Sequence, residues 1–158
     1  MMFPELIVFD LDFTLWDCGG TWCDCLRPPF VLTDGMVRDA YGRHIHLYPE
    51  VLSILDDVDE MGIPMGIASR TDRPDWARQL LELLGVKERF AYQEIFPGSK
   101  VTHIKNIASA SGIPLNAMLF FDDEQRNLHD LRPLGVHCKV VPNGLNEVLF
   151  SKGLEIFA

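Results

Sequence analysis

Carboxylates stand in close pairs at two places in this chain, and each pair follows a short apolar run. Asp10 and Asp12 lie in FDLDFT at 9–14, at the end of ELIVFD, and Asp122 and Asp123 lie in FDDEQRN at 121–127, after MLFF. Between them come Ser69-Arg70-Thr71, closing the run MGIAS, and a lone Lys100 in PGSK. Each group has an ordinary use by itself: an aspartate or serine at a strand end caps the next turn, and a lysine near a helix start is solvated. Together they make a set that can do chemistry. One carboxylate can act as a nucleophile and its neighbour can move a proton, while the hydroxyl and ammonium bind anionic oxygens. Several carboxylates gathered at one edge with little cationic compensation would raise one another's pKa values, and a divalent cation removes that conflict.

The elements that must carry these groups can be read from the apolar pattern. Residues 5–10, 65–69, 118–122 and 138–141 read as buried parallel strands, and a weaker run at 86–98 (AYQEIF) reads as a short strand at a sheet edge. Helical segments alternate with them. One begins near Pro49, buries Val51, Leu52, Leu55 and Val58, and stops near Gly62 and Pro64. A second runs from about Pro74 to Gly85, a third from Ser99 to Gly112 with Val101, Ile104 and Ile107 inward, and a fourth from after Asp123 to Gly135. This βα alternation predicts a three-layer Rossmann-like α/β fold, a parallel sheet with helices on both faces. In such sheets ligands bind beyond the carboxyl ends of the strands, which is where the four chemical segments fall. Residues 16–48 break the rhythm. They are rich in Gly, Pro, Cys and aromatics, and MVRDAYGRHIHLY suggests a hairpin turning at Tyr41-Gly42, so a small loop and hairpin flap is expected over that edge.

Composition bounds the rest. A chain of 158 residues, 47% hydrophobic and 23% charged, fits one domain over 1–158. No apolar stretch approaches the roughly 20 residues of a membrane span, and MMFPELIVFDLD lacks the basic start of a signal peptide, so a cytoplasmic protein is expected. A net charge of −9 argues against a nucleic-acid surface. Cys18, Cys23 and Cys25 are spaced C-x4-C-x-C, which matches no usual zinc pattern even with His44 or His46 added, and reduced thiols are the expectation.

The order of these segments resembles the haloacid-dehalogenase-like superfamily. FDLDFT matches its D-x-D-x-T motif, Ser69 its second-strand hydroxyl, Lys100 its lone lysine, and FDDEQRN its acidic pair. More narrowly, DLDFTLW, LYPEV, ASRT, PGSKVTH and FFDDEQRN look like the eukaryotic-type magnesium-dependent phosphatase family within it. Phe13 departs from the pattern, since many members carry Gly there, and is expected to crowd the loop. The resemblance implies a phosphatase acting on phosphomonoesters through an aspartyl-phosphate on Asp10, with Asp12 as general acid and base. It implies Mg²⁺ held by the Asp10 carboxylate, the Asp12 carbonyl and one of Asp122 and Asp123. Asp123 is preferred, because Asn127 four residues later suits a supporting position. Ser69 and the amide of Arg70 would bind the phosphoryl oxygens, Lys100 would neutralise charge, and Thr14 would orient the first loop.

An acid at position 12 favours phosphatase or phosphomutase over the superfamily's dehalogenases and ATPases. The intervals after Thr14 and between Ser69 and Lys100 are too short for a separate cap of ~50 residues. An open site is therefore expected, suited to a phosphorylated protein side chain or a sugar phosphate. Trp16, Trp22, Phe30 and Tyr41 could stack on such a ring or fill the flap's own minicore, and Arg27 and Arg43 read as surface residues. The alternatives are a phosphomutase and a non-catalytic phosphate-binding module on the same fold. A monomer is the default expectation.

Overall fold

The computed structural model describes residues 2–158. Five short runs pair into one parallel sheet: β1 (Leu6–Phe9), β6 (Met65–Ser69), β7 (Tyr92–Ile95), β8 (Met118–Asp122) and β9 (His137–Val140), in the order β7-β6-β1-β8-β9. All four pairings are parallel. The strands β1, β6 and β8 are buried along their whole length, which is why they read as continuous apolar runs instead of alternating ones.

Successive side chains in these strands go to opposite faces. Ile7, Phe9, Met65, Ile67, Leu119 and Phe121 share one core with Val51, Ile54, Leu55, Ala77, Leu80, Leu81 and Phe150. Those residues come from α1 (Val51–Glu60), α2 (Pro74–Leu83) and α5 (Glu147–Phe157). Leu6, Val8, Ala68, Met118 and Phe120 meet Ile104, Ile107, Leu128 and Leu131 on the other face, from α3 (Lys100–Ser111) and α4 (Gln125–Leu131). The expected three layers are present, and the 92–95 strand lies at the sheet edge as read.

Helix ends follow the local chemistry. The Ser99 hydroxyl accepts from the Val101 amide at 3.1 Å, which starts α3 with Lys100 as its first residue. Gly112, at φ 73°, closes it in a left-handed cap. No described helix is long and apolar enough to cross a membrane.

Two parts differ from the sequence reading. The 16–48 flap is more than a hairpin: β2 (Trp16–Cys18), β3 (Val31–Thr33), β4 (Met36–Arg38) and β5 (His44–Leu47) form a four-stranded antiparallel sheet in the order β2-β5-β4-β3. The turn at Tyr41-Gly42 joins β4 to β5 as expected. A second turn, Asp34-Gly35, has φ of 54° and 75° and joins β3 to β4, a pairing of residue types that favours the mirror-image hairpin turn. The sequence does not mark this turn as a hairpin, because β3 is exposed at every position and shows no alternation. Helix α5 is a second element that the sequence reading does not include. It carries Gly153 in its interior, which weakens a helical reading, and the reason is packing: a Cβ there would lie 2.5 Å from the Phe121 ring.

That ring is stacked on Phe9 and packed beside Phe150, so it cannot swing aside. Overpacking costs about 1–3 kcal/mol, against about 1 kcal/mol gained by replacing a helix glycine. Gly153→Ala should therefore lower the urea midpoint of unfolding. A midpoint equal to or above that of the unmodified protein would show that this contact is not limiting.

Candidate active site

Strand order decides which side chains meet. Phe9 pairs with Phe121 in the sheet and the Asp10 amide donates to the Phe121 carbonyl at 3.0 Å, so Asp10 and Asp122 leave adjacent strands side by side. Ser69 ends β6 on the other flank of β1, and α3 returns over the sheet with Lys100 at its first position. Four segments separated by up to about a hundred residues thus converge on the carboxyl edge of the sheet, as their motif positions anticipated.

Lys100 lies at the centre, 2% exposed. Its ammonium donates to Asp10 Oδ1 at 3.0 Å and to the Ala68 carbonyl at 2.6 Å, and it contacts Asp122 Oδ2 at 2.9 Å. Three donors meet three acceptors, so the charge is buried without an idle N–H. Asp122 is wholly buried and equally committed. Its Oδ2 also accepts from Asn127 Nδ2 at 3.0 Å, and its Oδ1 accepts from the Glu124 amide at 2.9 Å. Thr14 donates to Asp10 Oδ2 at 3.3 Å, and Arg70 Nη1 donates to Asn127 Oδ1 at 3.3 Å. The Ser69 hydroxyl accepts from the Thr71 amide at 3.4 Å.

Asp12 turns away from this group. Its Oδ1 accepts from the Trp16 indole at 2.7 Å, and the Cys23 amide reaches both of its oxygens at 3.2 Å. The Cys18 thiol lies 3.7 Å from Oδ1. The loop that carries Asp12 bends sharply: Phe13 adopts φ 61°, a left-handed conformation that an aromatic residue occupies only under constraint. This accounts for the glycine common at that position in the superfamily, and the Phe13 ring packs edge-on to Trp22 at the mouth of the site.

Oxygens of Asp10, Asp122 and Asp123 lie within 4.8 Å of one another. Three carboxylates face one ammonium, an excess of negative charge that shapes every titration here. Burial pushes the Asp10 carboxyl well above its usual range, opposed by Lys100 and reinforced by Asp122. Burial also lifts Asp123, to about 6. The Lys100 ammonium is held charged because the Asp10 and Asp122 carboxylates outweigh its own desolvation. Asp12 is raised by burial, against the pull of its Trp16 and Cys23 donors.

A cavity of about 460 Å³ opens over this edge, lined by Asp10, Asp12, Ser69, Arg70, Lys100, Asp123 and Asn127. Of the residues given a catalytic, phosphate-binding, metal or supporting role from the sequence, these seven line the cavity, and Thr14 and Asp122 contact them from behind it. One expectation needs correction: Asn127 supports Asp122 and not Asp123, because helix α4 brings its amide onto the strand-end carboxylate. The aromatic residues divide. Trp16 and Phe30 are buried in the flap, Trp22 is 53% exposed on the cavity wall, and Tyr41 is exposed away from it. Thr71, from the same segment as Ser69 and Arg70, also lines the cavity, as do Asp24, Cys25, Glu124 and Arg126, to which the sequence reading gives no role at this edge. For Glu124 and Arg126 the signal was available, since both sit inside FDDEQRN; Asp24 and Cys25 come from the flap, whose path only the folded chain reveals.

Comparison with known proteins agrees with this geometry. The Acid Phosphatase family model matches residues 2–158. The chain is 46% identical over 157 residues to human Magnesium-dependent phosphatase 1, covering 98% of this chain and 88% of the relative. It is 38% identical to the HAD-like hydrolase superfamily protein P8B7.31 of Schizosaccharomyces pombe, covering 95% of this chain and 94% of that one. In fold it matches the N-terminal part of BF1531 from Bacteroides fragilis, which contains a phosphatase domain and was crystallised with Mg, at a TM-score of 0.65 and 17% identity. The match covers 98% of this chain and 40% of that one. With a family model and a relative of 46% identity matching along nearly the whole length, this chain belongs to the acid phosphatase family of haloacid-dehalogenase-like hydrolases, the magnesium-dependent phosphatase type.

Proposed function

We propose that this phosphoric monoester hydrolase works through an aspartyl-phosphate on Asp10, with Asp12 moving the proton. The observation that carries this reading is the buried Lys100, bonded to Asp10 and Asp122 at the floor of a cavity that Asp10, Asp12 and Asp123 line. A carboxylate oxygen of Asp10 forms a bond to phosphorus as the ester P–O bond breaks, and Asp12 delivers its proton to the departing oxygen. Water then attacks the phosphoenzyme, its proton passes to Asp12, and Asp10 is released as carboxylate with inorganic phosphate. The raised affinity of Asp12 for a proton suits the first half of this cycle. Ser69 Oγ and the Arg70 amide are assigned to the phosphoryl oxygens, Lys100 to their charge, and Thr14 to the alignment of Asp10.

Mg²⁺ fits these residues: the cluster of three carboxylates carries more negative charge than Lys100 balances, and it is of a size to share one cation. Asp10, Asp123 and the Asp12 carbonyl are assigned as ligands. Asp122, whose oxygens already accept from Lys100, Asn127 and the Glu124 amide, is assigned to anchoring Lys100. The bound ion supplies Lewis-acid neutralisation of phosphoryl oxygens and favours the ionised form of Asp10. A family relative is named for magnesium dependence, and a neighbour of the same fold was crystallised with Mg.

The flap leaves the mouth open, which suits a phosphate carried on a protein side chain or a sugar better than a mutase intermediate that must be retained. The exposed Trp22 offers a flat wall to a ring. Trp22→Ala should raise KM for aryl phosphates on the order of threefold to tenfold with kcat little changed. An unaltered KM across phosphotyrosyl peptides and sugar phosphates would remove Trp22 from recognition.

Asp10→Asn should lower turnover of p-nitrophenyl phosphate by at least about 10³-fold and abolish the acid-stable mass gain of one phosphoryl group on the peptide carrying residue 10. Turnover that survives in this variant, or in EDTA, contradicts the mechanism and favours another nucleophile. Mg²⁺ binding should also release protons. Since Asp123 holds its proton up to about pH 6, the cation must displace it below that pH, and affinity falls as pH drops through that value. Calorimetry at about pH 5.5 in buffers of differing ionisation enthalpy should show the release, with a weaker affinity there than at about pH 7.5. Equal affinity at both would remove Asp123 from the ligand set.

A further inference from the structure

The loop after β1 carries both reacting carboxylates, yet their supports differ. Asp10 is held from the sheet, through Lys100 and Thr14, whereas every side-chain contact recorded for Asp12 comes from the flap. Trp16, the first residue of β2, is 0% exposed and does not line the cavity, so it touches no substrate. Its backbone is fixed on both sides: the carbonyl accepts from the Phe13 amide at 3.0 Å, the amide donates to Leu11 at 3.3 Å, and the residue pairs with Leu47 across the flap sheet. Its indole N–H is aimed at Asp12 Oδ1 over 2.7 Å, the shortest of the Asp12 contacts.

We propose that the Trp16 indole, with the Cys23 amide, is the positioning device that orients the Asp12 carboxyl and makes Oδ2 the oxygen that carries the transferable proton. This rests on the reading of Asp12 as general acid and base. The argument is one of donors. An indole N–H and a backbone N–H can only donate, and the thiol of Cys18 faces the same oxygen as the indole. A proton placed on Oδ1 would confront two N–H donors with only the weakly accepting Cys18 sulfur beside it, whereas Oδ2 has only the shared, longer contact with the Cys23 amide. The proton therefore stays on Oδ2 until the ester oxygen takes it as the P–O bond breaks, and a proton from the attacking water returns to the same atom. The flap is thus the mount of the acid, not only a cover over the site.

Trp16→Phe deletes the N–H and keeps an apolar ring, and replacement of Trp16 by benzothienylalanine deletes it while keeping the bicyclic shape, so a folding defect in the first leaves the second to decide. Single-turnover release should be compared for p-nitrophenyl phosphate, whose leaving group needs little protonation, and phenyl phosphate, whose leaving group needs more. Both variants should lose on the order of tenfold more rate on phenyl phosphate than on p-nitrophenyl phosphate, with KM unchanged, because misaimed proton transfer forfeits part of the 10²–10⁴-fold that a general acid contributes. Asp12→Asn should show the same selectivity, larger. Equal losses on both substrates, or none, in the isosteric variant while Asp12→Asn stays selective would overturn the role of Trp16 alone. Absence of selectivity in Asp12→Asn would overturn the acid reading beneath it and this inference together.

Discussion

One buried ammonium organises the catalytic edge. Among the described residues Lys100 is the only cation in ion-pair contact with the three clustered carboxylates, and it joins the end of β1, the end of β6 and the end of β8 through Asp10, the Ala68 carbonyl and Asp122. A charge this deep is tolerated only when its partners are close and its donors are all used, and removing one partner leaves an uncompensated charge behind. The arrangement therefore ties integrity of the sheet edge to integrity of the site. It also leaves a deficit, since one ammonium cannot balance three carboxylates, and the neighbouring carboxylates add to burial, the larger cause, in raising the proton affinities of Asp10 and Asp123. The cluster is of a size and charge to suit the dication proposed for it.

The two carboxylates of the first loop share a strand end and little else. Asp10 belongs to the sheet and Asp12 to the flap, and the left-handed turn at Phe13 is the bend that sends them apart. The division of labour proposed between nucleophile and acid thus has a structural counterpart in division of support. The loop after β1 is held by short backbone contacts on two sides: Leu15 accepts from Tyr48 at the end of the flap, and Phe13 and Thr14 accept from Gly144 and Leu145. Through these the loop following β9 also braces the loop that carries Asp12. At Gly144 the fit is so close that a Cβ would lie 2.5 Å from the Tyr48 ring, which is why that position has no side chain.

The fold was legible where the physics is local and repetitive. Strands β1, β6 and β8 announce themselves as apolar runs because both faces are covered, and α3 is bounded by a serine cap and a glycine stop. The flap sheet was only half legible, since strands of three or four residues with exposed positions carry no usable period. The helix α5 was hidden by Gly153, a residue that local propensity disfavours and that the Phe121 ring requires.

The order of residue types along the chain determined the family, the three layers and the identities of Asp10, Asp12, Ser69, Lys100, Asp122 and Asp123, because each follows a strand or opens a helix whose apolar pattern is plain. It could not say what those side chains touch. That Asn127 serves Asp122, that Asp122 is spent on Lys100 while Asp123 faces the cavity, and that Asp12 leans on Trp16 were decided only when distant segments packed together. The reason is physical: a period of two or of 3.6 residues reports which face of an element is buried, whereas a hydrogen-bond partner depends on register between elements that the local pattern does not encode.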